Sequence, residues 1–233
     1  MAGDRVEAVE RALEILNCFN EDQPVLSLKL LAEKTGFYKS TILRLSGSLE
    51  RYGYLVRQHD GQYRLGLALV SLGKISQLSC DIGTIVRPVI EALRDRFNES
   101  VAFYARSGNK RICLYRANAN RAIRHQLEEG RRLPLDKGAA GQILLAYSGS
   151  QGELFETIRH QGWYTSMGER DPEVAAVGVP ILTANEKILA VLTISGLISR
   201  FSAERQRECA TALQEKAGEL AEKLDPQPFL DMS

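Results

Sequence analysis

The sequence predicts an α+β chain in two patterned regions: helices closed by a short hairpin over residues 1–75, then antiparallel strands packed on helices from Ser100 onward. Three observations predict it. Apolar residues recur at intervals of three and four through Val6–Phe19 and again through Lys39–Tyr52, the spacing of one helical face. The period then changes around Asp60-Gly61, a dipeptide suited to a tight turn between two short β-type runs. Further on, two long apolar runs, Val174–Leu182 and Ile188–Leu197, are joined by the polar stretch Thr183–Lys187.

In the first region Val6, Val9, Leu13, Ile15 and Leu16 give one helical stripe, which Asp22 and Pro24 break. Ser27 precedes Leu28, Leu30, Leu31 and Ala32, a short helix started by a hydroxyl that caps free backbone N–H groups. Gly36 accepts the sharp turn that joins it to a third helix, Lys39 to Tyr52, whose inner face is Ile42, Leu45 and Leu49. After Gly53 come Tyr54–Arg57 and Gln62–Leu65, the two arms of a hairpin. Helix, helix, turn, helix, hairpin is the layout of a winged helix–turn–helix domain.

A long helical stretch, Leu67–Phe97, follows, with breaks expected near Gly83 and Pro88, a hinge at Ser79–Thr84, and Leu67, Leu69, Val70 and Leu72 facing packing partners. Beyond Ser100, strands are expected at Val101–Ala105, Arg111–Tyr115 and Ala122–Leu127, and helices at Gly141–Tyr147 and Glu153–Arg159. The two late apolar runs are strands. A last amphipathic helix begins after Ser202, with Cys209, Leu213, Ala217, Leu220 and Leu224 on one side.

Of 233 residues, 44% are hydrophobic and 25% charged, the balance of a globular chain rather than a disordered or collagen-like one. No run approaches the roughly 20 apolar residues of a membrane-spanning helix. Met1–Glu14 carries four acidic residues and no apolar core, unlike a secretory leader. A cytoplasmic protein with no membrane partner is expected. Cys18, Cys80, Cys113 and Cys209 form no CxxC pair and are read as buried thiols. The three histidines, His59, His125 and His160, lie far from them in sequence, so neither a metal nor a cofactor is expected.

The net charge of +1 hides a partition. Met1–Leu26 holds two basic and six acidic residues, net −4. Ser27–Ile75 holds eight basic and three acidic residues, net +5, and the remainder is balanced at 20 of each. The basic excess coincides with the second and third helices and the wing, which points to double-stranded DNA. In a helix–turn–helix the start of the second helix enters the major groove. Lys39, Ser40, Thr41 and Arg44 supply donors there, with Arg44 placed for a guanine. Ser40 and Thr41 have a second reading, as caps of the helix. Arg57, Gln62 and Arg64 on the wing suit phosphate or minor-groove contacts, or else form a solvated charged hairpin.

Three stretches resemble one family in order and spacing: Ser27–Lys74, Gly130–Ser150 and Gly162–Arg200. They are similar to the IclR-type bacterial transcriptional regulators, and the resemblance covers nearly the whole chain. It implies a winged helix–turn–helix over residues 1–75, a linker helix over 76–98 and a GAF/PAS-like effector-binding domain over 99–233. It also implies homodimers, or dimers of dimers, on palindromic operators, as repressor or activator of a catabolic operon.

In that family a small organic molecule, often a carboxylate, sits against a loop that stands here as Leu133-Pro134-Leu135-Asp136-Lys137-Gly138-Ala139-Ala140-Gly141-Gln142. By family position Leu133, Ala139 and Ala140 would line the site, Ala176, Thr193 and Ser195 would close it, and Glu169 would stand at its mouth. Backbone N–H groups at a helix start can hold an anion. Thr193 and Ser195, two apart in a strand, share a face; their hydroxyls meet either a ligand or neighbouring backbone. The chain departs from the family at Asp136, where His is usual, and at Gln142, where Lys is frequent, and both changes remove positive charge. Arg106, Arg116 and Arg124 are candidates to restore it.

Two other readings compete. Cys113, His125 and Asp136 would be the nucleophile, base and orienting group of an enzyme, but Cys113 sits among Ile112 and Leu114, where an inert thiol is expected, and no GxSxG, HExxH or phosphate loop is present. No catalytic residue is therefore assigned. In the other reading the second domain only oligomerises and binds no ligand.

Overall fold

The computed structural model describes residues 6–20, 22–79, 82–123, 127–224 and 226. It divides into two compact units, Met1–Ser79 and Cys80–Ser233, so the boundary falls inside the stretch 76–98.

In the first unit, α1 (Glu7–Asn17), α2 (Leu28–Thr35) and α3 (Lys39–Arg51) enclose a small core, with a three-stranded sheet beside them. The Ser27 hydroxyl accepts the Leu30 N–H at 3.2 Å, capping α2, and Gly36 ends it at φ 71°, a left-handed conformation that glycine adopts without a steric penalty. Ile15, Leu26, Leu31, Ile42, Leu55 and Tyr63 fill the core. The wing is β2 (Leu55–Arg57) paired with β3 (Tyr63–Leu65), with Val56 opposite Arg64. A short strand that the sequence did not announce, β1 (Val25–Leu26), pairs with the outer side of β3 and ties the wing to the start of α2.

Not every expected stripe is buried. Of the α1 positions only Ile15 is fully covered, while Val6, Val9 and Leu13 stay more than half exposed. Helix α4 (Ala68–Ser79) and the residue before it leave Leu67, Val70, Leu72 and Ile75 exposed too. The apolar periodicity was real, but among the described residues of this unit these positions stay uncovered.

In the second unit, α5 (Ile82–Phe97) runs through Pro88 without a break, so the expected interruption there does not occur. Proline removes one i→i−4 bond, which the packing of Val86, Ile90, Leu93 and Phe97 outweighs. Part of the expected hinge, residues 80–81 with Cys80, lies outside the described residues.

One antiparallel six-stranded sheet follows, in the order β6-β5-β4-β9-β8-β7. Its strands are β4 (Ser100–Ser107), β5 (Lys110–Ala117), β6 (Arg132–Pro134), β7 (Tyr164–Met167), β8 (Val174–Leu182) and β9 (Ile188–Leu197). The third strand is therefore Arg132–Pro134 rather than Ala122–Leu127; residues 122–123 form a bend, and 124–126, with Arg124 and His125, lie outside the described residues. One face of the sheet, through Val101, Phe103, Val177 and Ile194, packs on α5 and on α8 (Ala203–Lys223), which Ser202 caps. The opposite face, through Ala102, Tyr104 and Val191, packs on α6 (Ala139–Ala146) and α7 (Glu153–Gln161).

Candidate nucleic-acid interface and effector pocket

The α3 face that turns away from the core carries Lys39, Ser40 and Arg44, all exposed, with Thr41 half-buried at its border. The N-cap of α3 is Tyr38, so Ser40 and Thr41 lie inside the first turn rather than at the cap position. On the wing, the Gln62 amide donates to Asp60 Oδ2 at 2.8 Å, while Asp60 Oδ1 accepts the Gln62 N–H at 2.9 Å. Those two bonds hold the Asp60 carboxyl below the usual carboxylate range and commit Gln62 to the turn. Arg57 shares a face with its register partner Tyr63, over whose ring its guanidinium lies at 5.8 Å, and Arg64 leaves the opposite face.

The second site is a cavity of about 40 Å³ between the sheet and the start of α6. Sheet register explains its floor. Thr193 of β9 lies between Ala102 and Gly178, and Ser195 between Ser100 and Ala176, so both are flanked by small residues on the face that lines the cavity. A Cβ on Gly178 would press on Ile143, Thr193 and Ala139, so glycine there lets α6 settle on the sheet. Ala139, Ala140, Ala176, Thr193 and Ser195 all line the cavity. Thr193 Oγ1 also donates to Ala102 O at 3.4 Å, a long and weak bond.

Leu133 and Glu169 do not line it. Leu133 is buried opposite Arg111 in the β5–β6 ladder. Glu169 accepts the Gly138 N–H at 2.8 Å and the Tyr164 hydroxyl at 2.6 Å. The N–H at the start of α6 therefore already holds an anion, and it belongs to the protein. Burial, with the charge and hydrogen bond of Glu169, raises the Tyr164 phenol well above its ordinary value.

The positive charge comes from residues the sequence did not single out. Arg106 donates from Nε to Gly108 O at 2.9 Å, within its own turn. Arg116 is buried but does not line the cavity, and it donates from Nε to Asn118 Oδ1 at 2.7 Å. Arg111 and Arg170 are the arginines that line the pocket. Arg111 is only 3% exposed. Its Nη1 donates to Pro134 O and, at 2.8 Å, to Lys137 O, and its guanidinium lies 5.8 Å from the Tyr104 ring. Its Nε has no hydrogen-bond partner among the described residues. Burial pulls its pKa down to about 10, so at neutral pH it remains a cation inside the protein. Asp171, the acidic member of the lining, accepts the Glu173 N–H at 3.1 Å.

A signal for Arg111 did exist. It stands two residues before Cys113, so both point to one sheet face, and Cys113 is fully buried there. Burial pushes the Cys113 thiol up to about 12, the opposite of what a nucleophile needs. Among the described residues, no group of three His, Cys, Asp or Glu is placed to hold a metal, and no helix is long and apolar enough to cross a membrane.

A winged helix–turn–helix followed by an α+β domain with a small polar cavity is the layout of a two-domain transcriptional regulator. Comparison with known proteins makes it specific. Residues 8–59 match the IclR helix–turn–helix domain, and residues 76–154 and 152–222 match the bacterial transcriptional regulator IclR C-terminal domain. The HTH-type transcriptional regulator KipR of Bacillus subtilis is 26% identical, over 94% of this chain and 97% of its own. The crystal structure of an IclR family transcriptional regulator from Brucella abortus superposes with a TM-score of 0.82 at 24% identity, covering 96% of this chain and 95% of that one. An IclR homolog from Microbacterium hydrocarbonoxydans, solved in complex with 4-hydroxybenzoate, gives 0.73 at 20% identity, covering 93% and 98%. The chain belongs to the IclR family and is a DNA-binding transcriptional regulator.

Proposed function

We propose that this regulator binds a palindromic operator as a homodimer, and that a small organic acid held in the α6 cavity sets its affinity for DNA. The observation that carries the acid is Arg111, a buried cation whose Nε is unsatisfied, in a cavity shared with the Thr193 and Ser195 hydroxyls. A buried charged group left with an open donor favours a ligand that brings the acceptor. The family's positive loop positions are replaced by Asp136 and Gln142, and Arg111 with Arg170 takes over their electrostatic part. Leu133 and Glu169 then act on the site indirectly, Leu133 by packing behind Arg111 and Glu169 by fixing Gly138.

On the DNA side, α3 enters the major groove. Lys39, Ser40, Thr41 and Arg44 face the bases and nearby phosphates, and Arg57 and Arg64 reach the backbone from the wing. Gln62 shapes the wing turn through Asp60. The exposed apolar positions of α1 and α4 support a second copy of the chain as partner, since they stay uncovered among the described residues of their unit. Residues 1–75 bind DNA, 76–98 link, and 99–233 sense. The ligand shifts the balance between two arrangements of the dimer by its differential affinity for them.

A thermal-shift and operator-binding series tests this with 4-hydroxybenzoate and short aliphatic acids against their uncharged amides. The expected result is an acid, and not its amide, that raises the melting temperature and changes operator affinity. Arg111→Met abolishes both responses. A protein in which no acid moves either quantity would sink the reading and favour a second domain that only oligomerises.

A further inference from the structure

We infer that Leu43 reads a thymine through its C5-methyl group, and that Gly47, one turn along α3, stays bare so that the helix seats close to the DNA. This rests on the placing of α3 in the major groove proposed above. Ser40, Leu43, Arg44, Gly47 and Ser48 recur at three and four and are all exposed, so they form one outward face of α3. Arg44 is the only charged residue among them. Leu43 leaves 42% of its surface in water, whereas its neighbours Ile42 and Leu45 are buried in the core of the unit. The base edges displayed in the major groove are hydrogen-bonding groups with one apolar exception, the thymine methyl. An exposed leucine on a base-reading face has that one complementary target.

Gly47 supports the inference separately. Glycine inside a helix is less stable than alanine, and among the described residues no atom beyond its chain neighbours and the adjoining backbone of α3 stands within 4 Å of where its Cβ would be, so crowding does not explain it. Side chains on a helix lean toward its N-terminus, so a Cβ at position 47 would stand over the turn that carries Leu43. A surface brought up from outside gains from its absence. The net +5 of Ser27–Ile75, and the polar Lys39, Ser40, Arg44 and Ser48 around the leucine, make that surface DNA rather than an apolar protein partner.

The test uses the full chain and a duplex selected from a random pool for tight binding. Each thymine of the selected half-site is replaced in turn by deoxyuridine, which removes only the methyl group. One position per half-site is expected to lose about fourfold in affinity, the burial worth of one methyl. Leu43→Ala, checked for an unchanged melting temperature, abolishes that loss at that position alone. Gly47→Ala is expected to melt at the same temperature or higher and yet bind the duplex at least about tenfold more weakly. The proposal is overturned if no thymine is sensitive, if Leu43→Ala keeps the sensitivity, or if Gly47→Ala binds undiminished. Arg44→Ala separates the two levels: loss of preference for the selected duplex with no thymine effect leaves α3 as the reading helix and removes Leu43 from it.

Discussion

Arg200, in the turn after β9, grips Glu99 at the entrance to β4 with two guanidinium nitrogens on two carboxylate oxygens, Nη2 to Oε2 at 2.8 Å. Glu99 is 3% exposed, and Arg121 stands 3.6 Å from the same carboxylate. Gly196 lies directly against it, and a Cβ there would collide with the carboxylate. A fork-shaped pair of this kind joins two central strands at the edge of the core.

Removing one side of this pair leaves a buried charge. Arg200→Met is expected to cost about 2–3 kcal/mol, below the cost of a fully buried pair because Arg121 remains to compensate. Urea unfolding of the variant measures it. A loss under about 0.5 kcal/mol would show that the carboxylate is solvated in solution.

Gly141, in α6 beside Arg111, answers to the same test of space. A Cβ there would run into the Leu135 carbonyl oxygen and Arg111 Nη1, both held by surrounding structure. Gly141→Ala is therefore expected to destabilise by about 1–3 kcal/mol, although alanine is the better helix former. A variant as stable as the parent would mean that α6 is free to lift off Arg111.

The buried thiols predict an alkaline limit to stability. Burial pushes Cys113 up to about 12 and Cys209 up to about 11, from an ordinary value of 9.0. Above pH 9 the unfolded chain releases these protons and the folded chain keeps them, so the unfolded state binds fewer protons and stability falls as pH rises. Each thiol contributes a slope approaching about 1.4 kcal/mol per pH unit, up to its folded pKa. Melting temperatures between pH 8 and 11 should fall more steeply for the parent than for Cys113→Ala. Parallel curves would contradict the burial of the thiol.

At the pocket, Arg111→Lys keeps a charge but loses the fork that holds the carbonyls and, in the proposed function, the acid as well. The acid identified by thermal shift should bind the variant at least about tenfold more weakly, with Pro134 and Lys137 still held near an ammonium. Calorimetric titration gives the ratio. Equal affinity would assign the acid to Arg170 instead.

Much of the fold was legible because its elements follow local rules. The caps at Ser27 and Ser202, the turn at Gly36, the Asp60-Gly61 wing and the β8–β9 hairpin each stand where spacing and turn chemistry put them. Short strands with little periodicity were not legible. The two residues of β1 and the four of β7 are strands only because β3 and β8 offer them an edge. Five of the seven expected pocket residues share one cavity, while its cation was sought at Arg106, Arg116 and Arg124 and stands at Arg111 and Arg170.

The sequence by itself determined the order of the α-helices and the division of charge into an acidic start, a basic second segment and a balanced remainder. Each depends on neighbours within a turn or two of the chain. Only the tertiary structure decided which groups meet across long separations. Arg111 reaches the carbonyl of Lys137 because β5 pairs with β6 in one register, and Glu169 reaches the N–H of Gly138 because β7 lies at the far edge of the same sheet. Periodicity records which side of an element is apolar. Strand register and turn geometry decide what it is buried against, and those are settled by packing the whole unit at once.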